Sequence, residues 1–324
     1  MWSGDVRRQP LGHWPTPLVP WPRLSAELGR PVWAKRDDLS GFGLGGNKAR
    51  KLEYLLGDAA EAGCDTLVAV GGPQSNFCRM VAAAARACGL DAELVLEGPD
   101  PGTRTGNLAA DVLYGAGLHF VAEDSGEAWA AEFGEHLRRQ GRRPYVMPIG
   151  GSTAVGNLGY VAATVEFLAQ VTAAGLDVGQ VVVAAGSCGT LAGLLVGSAH
   201  LGSPWRVLGV SVSAPAAAKQ ATTDALAAEL AARLGWPAPP PAEVTDRFTA
   251  GGYGSSDATT WSAIRRLARA EGVLVDPVYT AKALAAAVAD DLAPRRGATV
   301  FWHTGGVPAL LGLDVKEGDT ANNR

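Results

Sequence analysis

Short apolar runs rich in β-branched residues alternate with longer Ala- and Leu-rich stretches along most of this chain. β-Branched runs are typical of strands, whereas Ala and Leu favour helices. The pattern predicts strands at residues 32–35, 66–70, 91–96, 118–121, 181–184, 207–212 and 299–302. It predicts helices at residues 48–62, 76–88, 105–114, 128–140, 156–174, 189–199, 214–234, 261–271 and 280–291. This alternation predicts an α/β fold with parallel sheets and right-handed crossovers.

The predicted strands are almost wholly apolar, which indicates sheets that helices cover on both faces. A chain of 324 residues also exceeds one ordinary hydrophobic core, so we expect two domains. The clearest linker is the stretch 235–241, because its prolines end any helix that reaches them.

Composition narrows the classes of partner. Apolar residues make up 47% of the chain and charged residues 19%, as in globular proteins. The net charge of −4 and the lack of a Lys/Arg-rich tract argue against a nucleic-acid partner. The sequence has neither an apolar run of about 18 residues, as a membrane span needs, nor the apolar stretch of a signal peptide near its start. We therefore expect a cytoplasmic protein with no membrane partner.

The cysteines give no sign of a metal site. Cys64, Cys78, Cys88 and Cys188 form no C-x-x-C pair, and none has a histidine at the spacing of a zinc site. We expect reduced thiols and no bound metal.

A lysine beside two glycines gives the strongest indication of chemistry. In residues 45–53 (Gly-Gly-Asn-Lys-Ala-Arg-Lys-Leu-Glu), Lys48 stands at the predicted start of a helix and Lys51 follows one turn later. A lysine in this position can react with a bound aldehyde, while the glycines leave room for a flat ring and the second lysine lies near a phosphate. The segment suggests a Schiff-base lysine for pyridoxal phosphate; the alternative is an ordinary solvated lysine.

The same region carries a competing signal for a dinucleotide. Gly41, Gly43 and Gly46 fit the pattern G-x-G-x-x-G between a predicted strand and a predicted helix. The usual fingerprint places its first glycine directly after the strand, whereas residues 35–40 intervene here. We therefore prefer the lysine interpretation and keep a nucleotide-dependent dehydrogenase as an alternative.

Two further segments follow predicted strands, where α/β enzymes bind their ligands. Residues 71–76 (Gly-Gly-Pro-Gln-Ser-Asn) offer a hydroxyl, two amides and the free N–H groups of a helix start, which suit a substrate carboxylate. The alternative is that Ser75 only caps the helix. Residues 186–190 (Gly-Ser-Cys-Gly-Thr) combine glycines with two hydroxyls, which suits a phosphate; the alternative is a tight turn.

Two C-terminal segments complete the set, residues 276–280 (Asp-Pro-Val-Tyr-Thr) and 303–306 (His-Thr-Gly-Gly). Thr304 follows the last predicted strand and would offer a hydroxyl to a buried heteroatom. Tyr279 has an ordinary alternative as a packing residue, and His303 has one as a buried structural histidine. The sequence shows no Ser-His-Asp order and no carboxylate pair, which disfavours hydrolase chemistry.

In order and spacing these segments resemble the fold-type-II pyridoxal-phosphate enzymes of the D-cysteine desulfhydrase and 1-aminocyclopropane-1-carboxylate deaminase family. The resemblance runs from about residue 16 to residue 310 and rests on residues 35–38, 45–53, 71–76, 150–152, 156–161, 186–193, 276–279 and 303–308. It implies a two-domain, tryptophan-synthase-β-like architecture with the cofactor between the domains. The implied small domain is 52–165, and the large domain is 1–51 and 166–324.

The resemblance also implies roles for individual residues. Lys48 would bind the cofactor covalently and move the Cα proton, and Ser75 would contact the substrate carboxylate or act as a nucleophile. Tyr253 and Tyr279 would line the substrate pocket and complete the catalytic set. The implied cofactor-binding residues are Lys48, Lys51, Asn76, Gly186, Ser187, Cys188, Gly189, Thr190 and Thr304. The implied substrate-binding residues are Asn47, Gln74, Ser75, Asn76 and Phe77.

Two positions distinguish the branches of the family. The deaminases carry Glu where this chain has Thr280 and Leu where it has Thr304, and the desulfhydrases resemble this chain at both. A carboxylate would keep the ring nitrogen of the cofactor protonated, whereas threonine offers only a neutral hydrogen bond. The threonines therefore favour α,β-elimination over the opening of a cyclopropane.

Pro73 and Phe77 depart from the family pattern and leave the natural substrate open. Phe77 would make its side of the pocket drier and narrower. The alternatives are a 1-aminocyclopropane-1-carboxylate deaminase, a β-replacement enzyme and a non-catalytic small-molecule binder. The resemblance also implies a homodimer whose substrate is a small amino acid.

Overall fold

The computed structural model describes residues 6–315. Its strands, β1 to β10 in chain order, are Leu18–Pro20, Val32–Lys35, Thr66–Gly71, Asp91–Glu97, Gly117–Val121, Pro144–Met147, Val178–Ala185, Arg206–Ser211, Glu243–Thr245 and Ala298–Trp302. Its helices, α1 to α11, are Pro22–Leu28, Lys48–Glu61, Asn76–Cys88, Gly106–Leu113, Gly126–Arg139, Ala154–Ala174, Gly189–His200, Ala216–Leu234, Ala258–Glu271, Thr280–Val288 and Val307–Leu311. Short 3-10 helices are Asp37–Leu39, Ile149–Gly151 and Asp290–Leu292.

Two sheets organise these elements. The larger has the order β1-β2-β10-β7-β8-β9 and is parallel except for β1, which pairs antiparallel with β2. The smaller has the order β5-β4-β3-β6 and is parallel throughout. Parallel pairing places the carboxyl ends of neighbouring strands at one edge of each sheet. The predicted α/β fold with parallel sheets is confirmed.

Helices cover both faces of the sheets, as the apolar strands predicted. In the smaller sheet, Leu67 and Leu94 pack with α2 and α3 on one face. Val68 and Val95 pack with α5 on the other face, because successive side chains of a strand alternate between faces. Every residue of β3 and of β10 is buried.

The smaller sheet comes from residues 66–147, and the strands of the larger sheet come from both sides of that stretch. Helices α2 and α6 pack against each other. The predicted domain division would cut α2 after residue 51 and α6 before residue 166. Those boundaries stay a prediction.

Most predicted elements are confirmed with ends that differ by at most three residues. The sequence pattern missed β1, α1, β6, β9 and α11. Strand β6 begins with Pro144, which a strand tolerates as its first residue, and β9 is a three-residue edge strand. Helix α10 ends at Val288, earlier than predicted, because Ala289 is extended with ψ 127°.

A buried ion cluster joins the larger sheet to two helices. Asp37, which follows β2, accepts hydrogen bonds from Arg50 of α2 at 3.0 and 2.8 Å, and Glu166 of α6 pairs with Arg50 and Lys35. Further donors to Asp37 are Thr16 Oγ1, Tyr160 OH and Trp302 Nε1. Burial alone would raise the pKa of Asp37, but the charges of Arg50 and Lys35 and the hydrogen bonds from Arg50 and Trp302 hold it at about 2. Asp37 therefore stays ionised.

The N-terminal segment 7–14 is fastened to α2. Gly57 lets the backbone approach, because a Cβ there would overlap the Arg7 carbonyl oxygen. One turn earlier, the buried carboxylate of Glu53 accepts hydrogen bonds from Arg8 Nε, Leu11 N, Gly12 N and Trp14 Nε1. The segment therefore satisfies a buried charge on the helix that begins with Lys48.

The four cysteines are all unpaired, as expected for reduced thiols. Among residues 6–315, no helix is both long enough and apolar enough to cross a bilayer. The same part of the chain contains no group of three His, Cys, Asp or Glu side chains placed to hold a metal ion.

Candidate active site

A cavity of about 620 Å³ lies where the carboxyl ends of strands from both sheets meet. From the smaller sheet, residues that follow β3 and β6 line it, including Ser75 and Gly150. From the larger sheet, residues that follow β7 and β10 line it, including Ser187 and Thr304. Ligands of α/β enzymes bind at this edge of a sheet, and the volume suits a small molecule.

Lys48 is the first residue of α2, and its side chain lines the cavity. Gly150 leaves room for it: φ is 67°, and a Cβ there would overlap Ser187 Oγ and lie 3.2 Å from Lys48 Nζ. Burial disfavours the charged form and lowers the pKa of Lys48 from 10.5 to about 8. A useful fraction of the amine is therefore uncharged near neutral pH and able to attack a carbonyl carbon.

Lys51 lies one turn further along α2 and is buried behind the cavity wall. Its Nζ atom donates hydrogen bonds to the Gly150 carbonyl and to Ser152 Oγ, both at 2.8 Å. Ser152 Oγ in turn donates to Ser187 Oγ at 2.9 Å. Burial, together with nearby Lys48, lowers the pKa of Lys51 well below its usual value. Lys51 therefore supports the predicted phosphate loop from behind.

Residues 186–190 connect β7 to α7 and contribute to the cavity wall. Cys188 has a left-handed backbone with φ 64°, so the chain turns sharply into α7. The first turn of this 12-residue helix provides backbone N–H groups for an anion. Asn47 Nδ2 donates to Thr190 Oγ1 at 3.0 Å and ties the segment before Lys48 to this loop. The geometry suits a phosphate.

Ser75 caps α3 and also lines the cavity. Its Oγ atom accepts hydrogen bonds from the N–H groups of Phe77 and Cys78, both at 3.2 Å. A hydroxyl that accepts two hydrogen bonds still has its own proton to donate, so Ser75 can donate to a ligand. Phe77 belongs to the same wall, but its side chain is almost wholly buried in the core of the smaller sheet.

Tyr253 and Tyr279 meet at the cavity with their hydroxyl oxygens 2.6 Å apart. Gly186 leaves room for the Tyr279 ring, because a Cβ there would lie only 3.2 Å from it. Partial burial raises the pKa of the Tyr279 hydroxyl well above its usual value, and Tyr253, which is 54% exposed, keeps its proton near neutral pH as an ordinary tyrosine does. One proton joins the two oxygens, and the other is available to a ligand.

The turn before α10 fixes Tyr279. The Asp276 carboxylate accepts hydrogen bonds from the N–H groups of Val278 and Tyr279, both at 2.9 Å. It also accepts the Thr280 hydroxyl at 2.6 Å. Thr280 is wholly buried, so its hydroxyl serves this turn; of the two threonines that distinguish the branches of the family, Thr304 is the one that lines the cavity.

His303 is a structural histidine. It is wholly buried, Nε2 lies 2.9 Å from the Leu274 carbonyl, and Nδ1 accepts a hydrogen bond from Gly305 N at 3.2 Å. Burial lowers its pKa, so the ring is neutral and Nε2 donates. Next to it, the Thr304 carbonyl accepts the Asn47 N–H at 3.0 Å. These contacts favour the structural interpretation of His303 over a catalytic base.

The structure brings most of the predicted site residues into this one cavity. Those that line it are Asn47, Lys48, Ser75, Asn76, Phe77, Gly186, Ser187, Cys188, Thr190, Tyr253, Tyr279 and Thr304. The predicted residues behind the wall or outside it are Lys51, Gln74 and Gly189. Gln74 turns instead to the next helix, with Nε2 on the Thr105 carbonyl and Oε1 on Asn107 N.

Sequence reasoning missed several polar residues of the cavity wall. Glu97 ends β4, so attention to strand ends would have found it. Lys219 comes from the Ala-rich helix α8, which carries no local signal. Its Nζ atom donates to the Gly186 carbonyl at 2.6 Å. Lys219 thus adds a cation beside the predicted phosphate loop.

These groups fit a ligand that carries an aldehyde, a phosphate and a polar ring. Lys48 supplies an amine for the aldehyde, and residues 186–190 with Lys219 supply donors and positive charge for the phosphate. Asn76 and Thr304 add polar groups for the ring. Pyridoxal phosphate has all three parts, so the site fits this cofactor.

Comparison with known proteins establishes the family. The model of the family described as pyridoxal-phosphate-dependent enzyme matches residues 10–305. The chain therefore belongs to the pyridoxal-phosphate-dependent enzymes, and pyridoxal phosphate is its cofactor.

The relatives lie in the family that the sequence resembles. D-cysteine desulfhydrase of Salmonella paratyphi B (strain ATCC BAA-1250 / SPB7) is 40% identical over 307 residues, covering 92% of this chain and 93% of that protein. A Pyrococcus abyssi (strain GE5 / Orsay) protein provisionally named 1-aminocyclopropane-1-carboxylate deaminase is 39% identical over 304 residues, covering 92% and 91%. The crystal structure of an ACC deaminase homologue matches with a TM-score of 0.88 and 40% identity, covering 95% and 94%. The predictions of the family, of fold type II and of a pyridoxal-phosphate-dependent lyase are confirmed.

Proposed function

We propose that the protein catalyses α,β-elimination from a small amino acid with a leaving group on Cβ, with D-cysteine as the first candidate. One observation carries the proposal: the hydroxyl of Thr304 lines the cavity, while the Asp276 carboxylate is occupied by its own turn. A threonine offers the ring nitrogen only a neutral hydrogen bond, which suits a reaction whose leaving group takes the electrons from Cα. The D-cysteine desulfhydrases at 40% identity support this choice.

Each group of cavity residues has its own role in this reaction. When bound, pyridoxal phosphate supplies a conjugated ring that stabilises negative charge at the substrate Cα. Lys48 accepts the Cα proton, because burial keeps its amine available as a base near neutral pH. Ser75 and the start of α3 hold the substrate carboxylate. The Tyr253–Tyr279 pair donates a proton to the leaving sulfur.

The elimination breaks the Cα–H and Cβ–S bonds of cysteine and forms a double bond between Cα and Cβ. The Cα proton goes to Lys48, and the sulfur leaves as a thiolate that is protonated by the tyrosine pair. Water then replaces the nitrogen. One cysteine and one water therefore give pyruvate, sulfide and ammonia, and no oxidant or reductant is consumed.

A panel of D- and L-amino acids tests the proposal through release of 2-oxo acids from the loaded enzyme. We expect pyruvate and sulfide from D-cysteine, and a loss of about 10³-fold in Lys48→Ala, as for the loss of a general base. Borohydride reduction followed by peptide mapping should mark Lys48 in the unsubstituted protein. A loaded protein that releases no 2-oxo acid from any member of the panel would refute the proposal.

The second candidate is 1-aminocyclopropane-1-carboxylate deaminase. It is favoured by Ser75, whose hydroxyl proton is free in the same cavity as the tyrosine pair. Ring opening with one water would yield 2-oxobutanoate and ammonia. Turnover of this substrate at a rate comparable with that of D-cysteine would replace elimination as the assignment. Incorporation of an added thiol at Cβ would instead indicate β-replacement.

We further propose a homodimer in the cytoplasm. Leu113 of α4 is 86% exposed and Leu311 of the adjacent α11 is 73% exposed, and a second copy would cover such an apolar surface. Light scattering should give twice the chain mass, and Leu113→Glu should shift it towards the monomer. A monomer at all concentrations would contradict the proposal. The unpaired cysteines suit a reducing compartment, which cell fractionation would test.

A further inference from the structure

Asn107, the second residue of α4, is wholly buried outside the cavity and contacts a residue that lines it. Its Nδ2 atom donates to Asn76 Oδ1 at 3.0 Å and to the Gln74 carbonyl at 2.8 Å. Its Oδ1 atom accepts a hydrogen bond from Arg79 Nε at 2.7 Å. Both ends of the Asn107 amide are therefore engaged.

These contacts leave one orientation for each of two side-chain amides. A guanidinium can only donate, so Arg79 determines which end of Asn107 is the oxygen. A backbone carbonyl can only accept, so the Gln74 carbonyl determines which end is the NH₂ group. That NH₂ group also donates to Asn76, whose oxygen must face Asn107. The NH₂ group of Asn76 is thereby left for the cavity.

We propose that Asn107 is a positioning residue that makes Asn76 a hydrogen-bond donor towards the ring oxygen of the cofactor. The inference rests on the proposed function and on the cofactor-binding role that the family resemblance implies for Asn76, which lines the cavity and would meet the ring oxygen. An asparagine without this partner could turn its amide and present its own oxygen, which an anionic ring oxygen would repel. Held as a donor, Asn76 stabilises negative charge on the ring oxygen.

Arg79 extends the same arrangement to the catalytic lysine. It is wholly buried in α3, and its Nη2 atom donates to the Gly45 carbonyl at 3.1 Å, three residues before Lys48. One guanidinium thus holds the segment that presents Lys48 and, through Asn107, the amide of Asn76. Lys48 and Asn76, which would meet the cofactor from different segments, are therefore both supported by the buried side chain of Arg79.

The test follows the pH at which the visible absorption band of the bound cofactor changes. A hydrogen bond donated to the anionic ring oxygen lowers this pH. Asn107→Asp cannot donate to Asn76, so Asn76 turns, and the pH should rise by about one to two units. The protein freed of cofactor should bind pyridoxal phosphate about tenfold more weakly in a fluorescence titration. Asn107→Ala, which leaves Asn76 free to turn, should give a smaller rise and serves if N107D does not fold.

The same substitutions in an Asn76→Ala background separate positioning from general damage. Because Asn107 acts through Asn76, the neutral replacement Asn107→Ala should then move the pH by less than about 0.3 unit. An undiminished shift in that background, or no shift in the otherwise unchanged enzyme, would overturn the inference and leave the proposed function standing.

Asp111→Asn is the matched control. Asp111 lies on the same helix as Asn107 and interacts electrostatically with Arg79. The substitution removes the ionisable carboxyl group of Asp111 and leaves the Asn107–Asn76 contact in place. The pH of the band should stay unchanged in this variant whatever its stability. A shift equal to that of N107D would overturn the inference. If the unsubstituted protein gives no visible band with pyridoxal phosphate, the proposed function and this inference both fail.

Discussion

Burial of Lys48 should control how fast the protein captures its cofactor. The pKa of this lysine falls from 10.5 to about 8 in the cavity. At pH 7, an ordinary lysine is uncharged in roughly 0.03% of molecules, and one with a pKa of about 8 in roughly 10%, a gain of about 300-fold. Only the uncharged amine attacks an aldehyde, so the rate of capture should follow this fraction.

The assay mixes cofactor-free protein with pyridoxal phosphate in a stopped-flow instrument between pH 6 and pH 10 and records the visible band. Because the amine gains its reactive form as protons leave, the logarithm of the rate should rise with a slope of about one up to about pH 8 and then level off. The reaction of Nα-acetyllysine over the same range corrects for the titrations of the cofactor itself. Lys48→Ala should give no covalent band.

The position of the break decides whether burial tunes the amine. A corrected rate that keeps rising with the same slope beyond pH 9.5 would mean that Lys48 titrates like a solvated lysine. The lowered pKa would then be wrong, and general-base action by Lys48 at neutral pH would lose its physical basis.

Three further predictions have outcomes that the contacts determine. Gly150→Ala and its control Gly175→Ala both place a side chain at positive φ, which should cost about 1 kcal/mol of stability in each. Only at Gly150 would the new Cβ overlap atoms at the cavity, so only Gly150→Ala should weaken cofactor binding, by about tenfold or more in equilibrium titrations. The Lys282 amine donates hydrogen bonds to the carbonyls of Val212, Thr249 and Gly252, and the last two belong to the loop that contains Tyr253. Lys282→Met removes these bonds, so limited proteolysis of the loop should be faster and KM higher. An unchanged cleavage rate would show that Lys282 does not hold the loop. Asp37→Asn leaves the two buried cations Arg50 and Lys35 with Glu166 as the one remaining carboxylate of the cluster. The substitution should lower the free energy of unfolding by about 3–5 kcal/mol in urea titrations, and a loss below about 1 kcal/mol would show that the cluster is dispensable.

The sequence was a good guide to the fold wherever burial and pattern act together. Strands such as β3 and β10 are wholly buried, so their apolar runs stand out, and helix α3 begins at the predicted residue because Ser75 caps it. Edge strands β1 and β9 have only three residues each and leave no such pattern. Their existence depends on pairing with neighbours that are distant in sequence.

The site was predictable where a residue type and a strand end coincide. Ser75 and the loop 186–190 were found in this way, and Lys48 was found from the glycines before a helix start; Lys48, Ser75 and most of the loop line the cavity. Lys219 was missed because its role depends on how α8 packs over that loop. The contrast between Thr280 and Thr304 was likewise invisible, since only the fold shows which hydroxyl its neighbours have already taken.

The N-terminal segment 7–14, which is fastened to α2, makes cofactor binding sensitive to proteolysis at a place remote in sequence from Lys48. Proteolytic loss of residues 7–14 would take from Glu53 its four hydrogen-bond donors and would admit water to α2 less than two turns from Lys48. We expect the cleaved protein to release pyridoxal phosphate, and so to lose its visible absorption band, before it unfolds. Colour can therefore serve as a quick measure of intactness during purification.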